Sequence, residues 1–276
     1  MGVLLSISSM KNFFVLALLS SVVSFPAIAG TTPSLSNLSQ AESDSIAKTF
    51  ANAVAFRSLE PPSSNGKIWG FGIGLAFDAT SAKDLNDTLT ANGNTQNISA
   101  LPAGDLVITL QGPLGIAVET GFLPRMKIGG LSTKRTAFNA KWTFTDVFLR
   151  GRTPFDAAIR LGYGRNEFQY DQMMGAVLDT VRFDSKALRA ELAMSRKLLV
   201  FEPYLGLGLL RTSNTLSNTA ATTLFNFTAS DRYDYSKSSF LFNIGTEVRL
   251  IFLTMGAQVE WAFGETTGSL KLGFKF

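Results

Sequence analysis

The sequence contains neither cysteine nor histidine among its 276 residues. Without cysteine the chain forms no disulfide and offers no thiolate as a nucleophile or metal ligand. Histidine is the usual general base near neutral pH and the commonest metal ligand, so its absence excludes a Ser-His-Asp triad and many metal sites. The composition therefore argues against an enzyme, and it predicts no catalytic residue and no cofactor.

Long apolar runs and an excess of charge of one sign are also missing. After residue 30 no stretch reaches the roughly 18 to 20 consecutive apolar residues that a membrane-spanning helix requires. The formal net charge is only +4 and the basic residues are scattered, which does not favour a nucleic-acid partner. The chain is nevertheless 46% hydrophobic, with 23 phenylalanines and 24 glycines. Such a composition without long apolar runs is typical of alternating β-strands.

Residues 1–29 have the features of a secretory signal peptide. Lys11 precedes a short apolar core, and Ala27 and Ala29 form an A-x-A cleavage site. Cleavage at this site leaves a mature chain that begins at Gly30. The segment therefore predicts export through the Sec pathway.

From residue 68 onward, large apolar residues alternate with small or polar ones. In residues 68–79, Phe, Ile and Leu alternate with Gly and Asp, and the same pattern recurs to the end of the chain. Because successive strand side chains point to opposite faces, one face is apolar and the other is small or charged. A soluble sandwich is the competing interpretation, but a glycine-rich, charged second face is more typical of the lumen of a transmembrane barrel.

The alternation predicts an all-β, antiparallel up-and-down barrel of about ten strands in residues 68–276, with eight or twelve as alternatives. Long polar stretches at 80–104, 168–184 and 213–237 are predicted to be cell-surface loops. Outer-membrane barrels place long loops outside the cell and short turns in the periplasm. Putting all three loops on one side requires an even number of strands, with both ends of the barrel in the periplasm.

Residues 30–67 differ from the rest of the chain and predict one helix at about 41–58. Ile46, Phe50 and Val54 recur there at helical spacing, and two prolines after the helix stop it. Two positions remain open for this N-terminal segment. It is either a plug that enters the barrel lumen or a short periplasmic helix that covers the bottom of the barrel.

The C-terminus alternates apolar with other residues and ends on an aromatic side chain; the apolar positions are Leu270, Leu272, Phe274 and Phe276. This pattern resembles the terminal signal read by the bacterial barrel-assembly machinery. Together with the leader and the alternating strands, it makes the whole mature chain resemble the outer-membrane β-barrel proteins of Gram-negative bacteria. The resemblance implies location in the bacterial outer membrane, contact with its lipid, and insertion by the assembly machinery.

The polar face of the predicted strands carries charges of both signs in similar number. In a narrow barrel these side chains are expected to pair across the lumen, because an unpaired buried charge is costly. A selectivity filter is the alternative interpretation. The inward-facing charged residues predicted from the alternation are Glu119, Arg135, Lys141, Asp156, Arg160, Arg189, Glu191, Glu202, Glu247, Arg249 and Glu260, together with Lys271 and Lys275.

The predicted function is passage of small or hydrophobic compounds across the outer membrane. The N-terminal segment would gate that passage if it enters the lumen. The alternative is a structural or surface-interaction barrel that binds a partner through its long extracellular loops.

Overall fold

A computed structural model of the chain describes residues 40–64, 69–91, 100–128, 131–149, 152–174, 177–222 and 227–276. The predicted cleavage site at Ala27, Ala29 and Gly30 lies outside the described residues. The side chain of Ile46 also lies outside them.

Ten antiparallel strands form a closed barrel, as predicted, in which each strand pairs with its neighbours in sequence and the last pairs with the first. The strands are β1 (Gly70–Ser81), β2 (Ala100–Gln111), β3 (Ile116–Ile128), β4 (Leu131–Trp142), β5 (Asp156–Met174), β6 (Val177–Ser195), β7 (Phe201–Thr222), β8 (Phe227–Leu250), β9 (Leu253–Ala262) and β10 (Glu265–Lys275).

The helices that the structure describes are α1 (Gln40–Ala53), α2 (Lys83–Ala91), α3 (Thr145–Phe148) and a one-turn 3₁₀ helix at Pro113–Gly115. None of these described helices is long and apolar enough to cross a bilayer. Helix α1 ends at Ala53 rather than near residue 58. The side chain of Arg57 folds back and donates a hydrogen bond of 2.7 Å to the main-chain oxygen of Asn52. It thereby satisfies a carbonyl in the last turn of the helix and ends the helix there.

The alternation along each strand separates a lipid-facing surface from the lumen. On β10, for example, Leu270, Leu272 and Phe274 are exposed on the outer face, whereas Lys271 and Lys275 are buried inside. The C-terminal apolar residues therefore belong to the lipid-facing band and lie on the strand that closes the barrel against β1. This arrangement of apolar exterior and charged interior is expected of a barrel whose solvent is lipid.

The two ends of the barrel differ. Short turns connect β2 to β3, β6 to β7 and β8 to β9 at the end where β1 begins and β10 finishes. At the opposite end, strands β5 to β8 extend to lengths of 19, 19, 22 and 24 residues. A bilayer crossing needs only about 9 to 11 residues, so these strands project beyond the membrane. Outer-membrane barrels extend further from the bilayer on the cell-surface side than on the periplasmic side, so the projecting end is the cell-surface end.

The predicted loops at 168–184 and 213–237 are wrong for most of their length, because β5 to β8 continue through them. Above the membrane both faces of a strand meet water, so polar residues occupy both faces and the apolar alternation disappears. The signal used to recognise strands is therefore absent, although the backbone pairing continues.

Candidate functional site

Residues 40–64 of the N-terminal segment pass through the lumen from one end to the other. At the cell-surface end, Lys48 Nζ of α1 lies 2.6 Å from Asp84 Oδ2 of α2. At the periplasmic end, Ser63 donates a 2.9 Å hydrogen bond to Glu202 at the start of β7. Between these contacts the chain is buried inside the barrel. We call residues 54–64 the lumen segment.

Helix α1 lies at the cell-surface mouth and not beneath the barrel. The ring of Phe50 lies 6.1 Å from that of Phe168 and 5.6 Å from that of Phe183, and it packs against Leu85 of α2. The main-chain oxygen of Val54 accepts a 2.8 Å hydrogen bond from the Asn166 side chain. The lumen segment therefore leads from a helix at the cell surface down to the periplasm.

Glu60 lies between two lysines of β10 in the middle of the lumen. Its carboxylate forms ion pairs with Lys271 and with Lys275, whose Nζ lies 2.5 Å from Oε2. Thr109 of β2 donates to the same carboxylate at 3.4 Å, and Arg160 of β5 donates to the Glu60 main-chain oxygen. The residue is only 2% exposed, so its charge is compensated by the barrel wall and not by water.

Arg57 carries the opposite charge into the lumen. Its Nε donates to Glu260 Oε1 of β9 at 3.0 Å, and its Nη2 donates to Thr267 Oγ1 of β10 at the same distance. The other guanidinium contacts go to Asn52 in the last turn of α1 and to Ala55 of the lumen segment, whose main-chain oxygen accepts from Nη1 at 2.8 Å. A guanidinium has five donors, and this arrangement lets it join the helix, the lumen segment and the wall.

The Pro61-Pro62 pair suits an extended chain enclosed by cationic donors. Proline has a main-chain carbonyl oxygen but no N–H. Each proline therefore adds one oxygen that needs a hydrogen-bond donor and adds no N–H that needs an acceptor. Lys141 of β4 donates to the oxygens of Pro61 and Ser63 at 2.8 Å each. Thr143 donates to the oxygen of Pro62. Strand β4 and the residue that directly follows it therefore hold three consecutive carbonyls of the lumen segment.

Glycines in the wall make room for the apolar side chains of the lumen segment. A Cβ atom on Gly121 would lie 2.4 Å from the ring of Phe56, so no larger residue fits unless that ring moves. A Cβ atom on Gly256 would lie 3.5 Å from the Cβ of Leu59, which is ordinary contact. These glycines allow the wall and the lumen segment to approach closely.

Comparison with known families places the chain in a group that has no assigned role. The model of "Family of unknown function (DUF6588)" matches residues 74–276, which is most of the barrel. The chain belongs to this family. No curated protein matches it.

Solved structures that this chain matches include three bacterial proteins. Ail, the attachment invasion locus protein of Yersinia pestis, is 11% identical, with a TM-score of 0.32 over 75% of this chain and 97% of Ail. The translocator domain of the autotransporter NalP from Neisseria meningitidis is 8% identical, with a TM-score of 0.43 over 77% and 90%. The beta domain of the Bordetella autotransporter BrkA is 15% identical, with a TM-score of 0.38 over 76% and 99%.

The DUF6588 chain is a bacterial outer-membrane β-barrel. Its closed ten-strand sheet presents an apolar band to lipid and encloses a charged lumen. Among the described residues, no group of three or more acidic, histidine or cysteine side chains could hold a metal ion.

The wall of this DUF6588 barrel also contains ion pairs that do not involve the lumen segment. They join inward side chains within one strand or on strands one or two positions apart around the barrel. We call them the wall pairs: Arg160–Glu191 at 2.8 Å, Arg189–Glu191 at 2.9 Å, Lys275–Glu247 at 2.7 Å and Arg135–Asp105 at 3.0 Å.

The structure places most of the sequence-predicted inward charges in the interior. Two of them, Asp156 and Arg249, are half-exposed near the periplasmic end, where Lys197 lies 3.9 Å from Asp156 and Glu247 lies 3.0 Å from Arg249. The buried ones are Glu119, Arg135, Lys141, Arg160, Arg189, Glu191, Glu202, Glu247 and Glu260, together with Lys271 and Lys275.

Five buried charged residues are not among the inward charges predicted from the sequence. Asp78, Asp105 and Glu265 lie on the inward face of β1, β2 and β10, where a period of two extended along each strand places them. Arg57 lies at the end of the predicted helix and Glu60 lies just beyond it, and no sequence signal placed either of them in the lumen.

Proposed function

We propose that the protein is a gated outer-membrane channel for small polar solutes, and that the lumen segment is its gate. One observation carries the proposal: the lumen segment runs the length of the barrel interior and is bonded to six strands. Its hydrogen bonds and ion pairs reach β2, β4, β5, β7, β9 and β10. In this arrangement the described part of the lumen is occupied from the mouth to the periplasmic end.

The charge balance of the lumen supports a gate that can move out of the barrel. The lumen segment contributes one buried cation, Arg57, and one buried anion, Glu60. Its departure therefore leaves the net charge of the lumen unchanged. The wall pairs keep partners of opposite sign on the barrel itself, so the wall is not left as an unbalanced ring of charge.

The wall chemistry supports a polar cargo. Carboxylates, guanidinium groups and ammonium groups line the space that the lumen segment fills. A hydrophobic compound in that space would displace water from these groups without replacing its hydrogen bonds. A small polar solute or ion can replace them, and we therefore favour polar solutes over hydrophobic ones.

The contacts at the mouth supply a means of opening from the cell surface. Helix α1 is attached there by Lys48–Asp84 and by a hydrogen bond from Tyr233 to Asp44. The Lys48 and Asp84 side chains are 22% and 36% exposed, so water and salt reach them. Exposed ion pairs are weak and are screened by salt, so these contacts can yield before the buried ones do.

Single-channel recording in a planar bilayer tests the proposal. The refolded mature protein is compared with a variant that lacks residues 31–64, after both are shown to insert as folded barrels. We expect rare, brief openings from the complete protein and steady conductance from the variant. Steady conductance from the complete protein would contradict gating, and silence from both would contradict a channel.

A surface-interaction barrel is a second candidate, favoured by the projection of β5 to β8 above the membrane. These four strands form a continuous sheet outside the bilayer. Silence from both proteins in the conductance experiment would favour this function.

A further inference from the structure

Three cations lie together on the lipid-facing side of the barrel, just above the apolar band. Arg165 of β5 and Lys186 of β6 are directly opposite each other in register, and Arg211 of β7 is the diagonal neighbour of Lys186. Below them on the same face, Tyr163 and Leu188 are exposed members of the apolar band. We call Arg165, Lys186 and Arg211 the cationic row.

Like charges directly opposite each other on a sheet are destabilising unless something neutralises them. Nearby acids do not do so for the whole row, since each is already paired with another arginine. These pairs are Arg125–Glu167 at 3.1 Å, Arg182–Asp184 at 2.8 Å and Arg232–Asp234 at 3.1 Å.

The protein itself supplies few acidic side chains that could neutralise the positive charge of the row. Arg165 lies 3.2 Å from Glu167, which it shares with Arg125. Among the described residues, Lys186 and Arg211 have no acidic side chain within ion-pair distance. The row therefore presents uncompensated positive charge to whatever lies beside the barrel at this height.

A cleft opens at the same place. It has a volume of about 270 Å³, and its lining includes Arg165, Lys186 and the hydroxyl groups of Ser213 and Ser236. Asp184 and Asp234 also line it, and their carboxylates are already paired with Arg182 and Arg232. Such a mixture of cations and hydroxyls can bind phosphate oxygens and sugar hydroxyls at once.

The cationic row is confined to one side of the barrel. At the corresponding height on β10 and β1, the outward residues are Thr266, Gly268 and Ala79, which carry no charge. Attraction to a membrane surface in general would place cations all round the barrel. Exposed cations instead lie on β3 to β8, with Arg125, Lys134 and Arg232 near the row, and their absence from β10 and β1 at this height favours a local ligand.

We propose that the cationic row binds the phosphate groups of lipopolysaccharide in the outer leaflet. The row begins where the apolar band ends, which is the height at which lipid headgroups begin. Lipid-facing clusters of lysine and arginine at that height attract anionic headgroups. Arginine adds bidentate hydrogen bonds to phosphate, and the neighbouring serines face the attached sugar. This site lies outside the barrel and does not depend on the proposed gate.

Native mass spectrometry of the complete refolded protein with added lipid A tests the proposal. The variant Lys186→Gln/Arg211→Gln removes the two uncompensated charges. At about 1 kcal/mol for each charge, we expect it to bind lipid A about 30-fold more weakly than the unaltered protein. Lys186→Arg keeps a positive charge at its position and is expected to retain binding.

The control variant Lys83→Gln/Lys127→Gln removes two exposed lysines from α2 and β3, outside the row. It is expected to bind as the unaltered protein does. An equal loss in this control would overturn the proposal, because general surface charge would then explain the binding. Equal affinity for dephosphorylated lipid A would also overturn it, and so would displacement of lipid A by low concentrations of inorganic phosphate.

Discussion

The seam side of the barrel, β9 and β10, differs from the side built by β5 to β8. The seam strands are only 10 and 11 residues long, and their inward charges Glu260, Lys271 and Lys275 hold the lumen segment. Strands β5 to β8 are about twice as long, and their additional charges face outward above the membrane. The seam side therefore supplies the ion pairs to the lumen segment. Strands β5 to β8 also contribute hydrogen bonds to that segment, and in addition they carry charges that face the surroundings of the cell.

Ion pairs are buried on the seam side and exposed on the outer side of β5 to β8, and this difference determines how strongly substitutions are expected to change gating. Ion pairs on the seam side are buried, so removing one partner leaves a charge without water or a counter-charge. Ion pairs on the outer side of β5 to β8 are largely exposed, and such pairs contribute little. Substitutions on the seam side are therefore expected to change gating far more than substitutions on the projecting sheet.

The largest effect is expected for Glu60→Ala. Lys271 and Lys275 then lose their shared carboxylate, and Lys271 keeps only Glu119 at 3.8 Å. We expect the closed state to lose about 3 to 5 kcal/mol relative to the open state, measured as a large rise in single-channel open probability.

Two further variants sharpen this result. Adding Lys271→Met to Glu60→Ala removes an uncompensated ammonium group and should recover part of the loss. Glu167→Ala removes a carboxylate from the outer face, where its pair with Arg125 is exposed, and should leave the open probability unchanged. If the open probability of Glu60→Ala were as low as that of the unaltered protein, Lys271 and Lys275 would not hold the gate closed through Glu60.

A smaller effect is expected for Gly121→Ala. The new methyl group would lie 2.4 Å from the Phe56 ring, so the ring and the lumen segment must shift. Overpacking of this kind costs about 1 to 3 kcal/mol, and open probability should rise accordingly. Gly268→Ala is the matched control, because a methyl group there meets nothing within 4 Å. Equal behaviour of the two variants would show that Phe56 does not hold the gate in place.

The smallest effect is expected for Asp84→Ala at the mouth. It removes the partly exposed ion pair with Lys48, which contributes about 1 kcal/mol or less. Openings should become slightly more frequent at low salt, and the difference from the unaltered protein should vanish at high salt. Asp87→Ala removes an exposed acid from the same helix and serves as the control. A salt-independent effect of Asp84→Ala would rule out the ion pair as its cause.

Much of the barrel could be predicted from the sequence, because its strands lie between lipid and a polar lumen. In residues 155–164, for example, the outward positions are apolar throughout, so both the strand and the inward position of Arg160 follow from a period of two. Above the membrane the same strand continues to Met174 without that alternation, and its extension could not be recognised.

The lumen segment escaped prediction for a different physical reason. The wall surrounds Glu60 on every side, so the segment has no apolar face to produce a periodic pattern. The cationic row also depends on register, which brings Arg165 opposite Lys186 although they are far apart in sequence. Such neighbours become visible only when strand pairing is known.

A disulfide between the lumen segment and the wall tests the account most directly. Leu59→Cys with Gly256→Cys places two Cβ atoms about 3.5 Å apart, which suits a disulfide, and the chain has no other cysteine to compete. The pair is introduced into Glu60→Ala, in which openings are expected to be frequent. We predict that the oxidised protein is silent in a planar bilayer and that a reducing agent restores conductance. Equal conductance in the two states would contradict the claim that the lumen segment must move for solutes to pass.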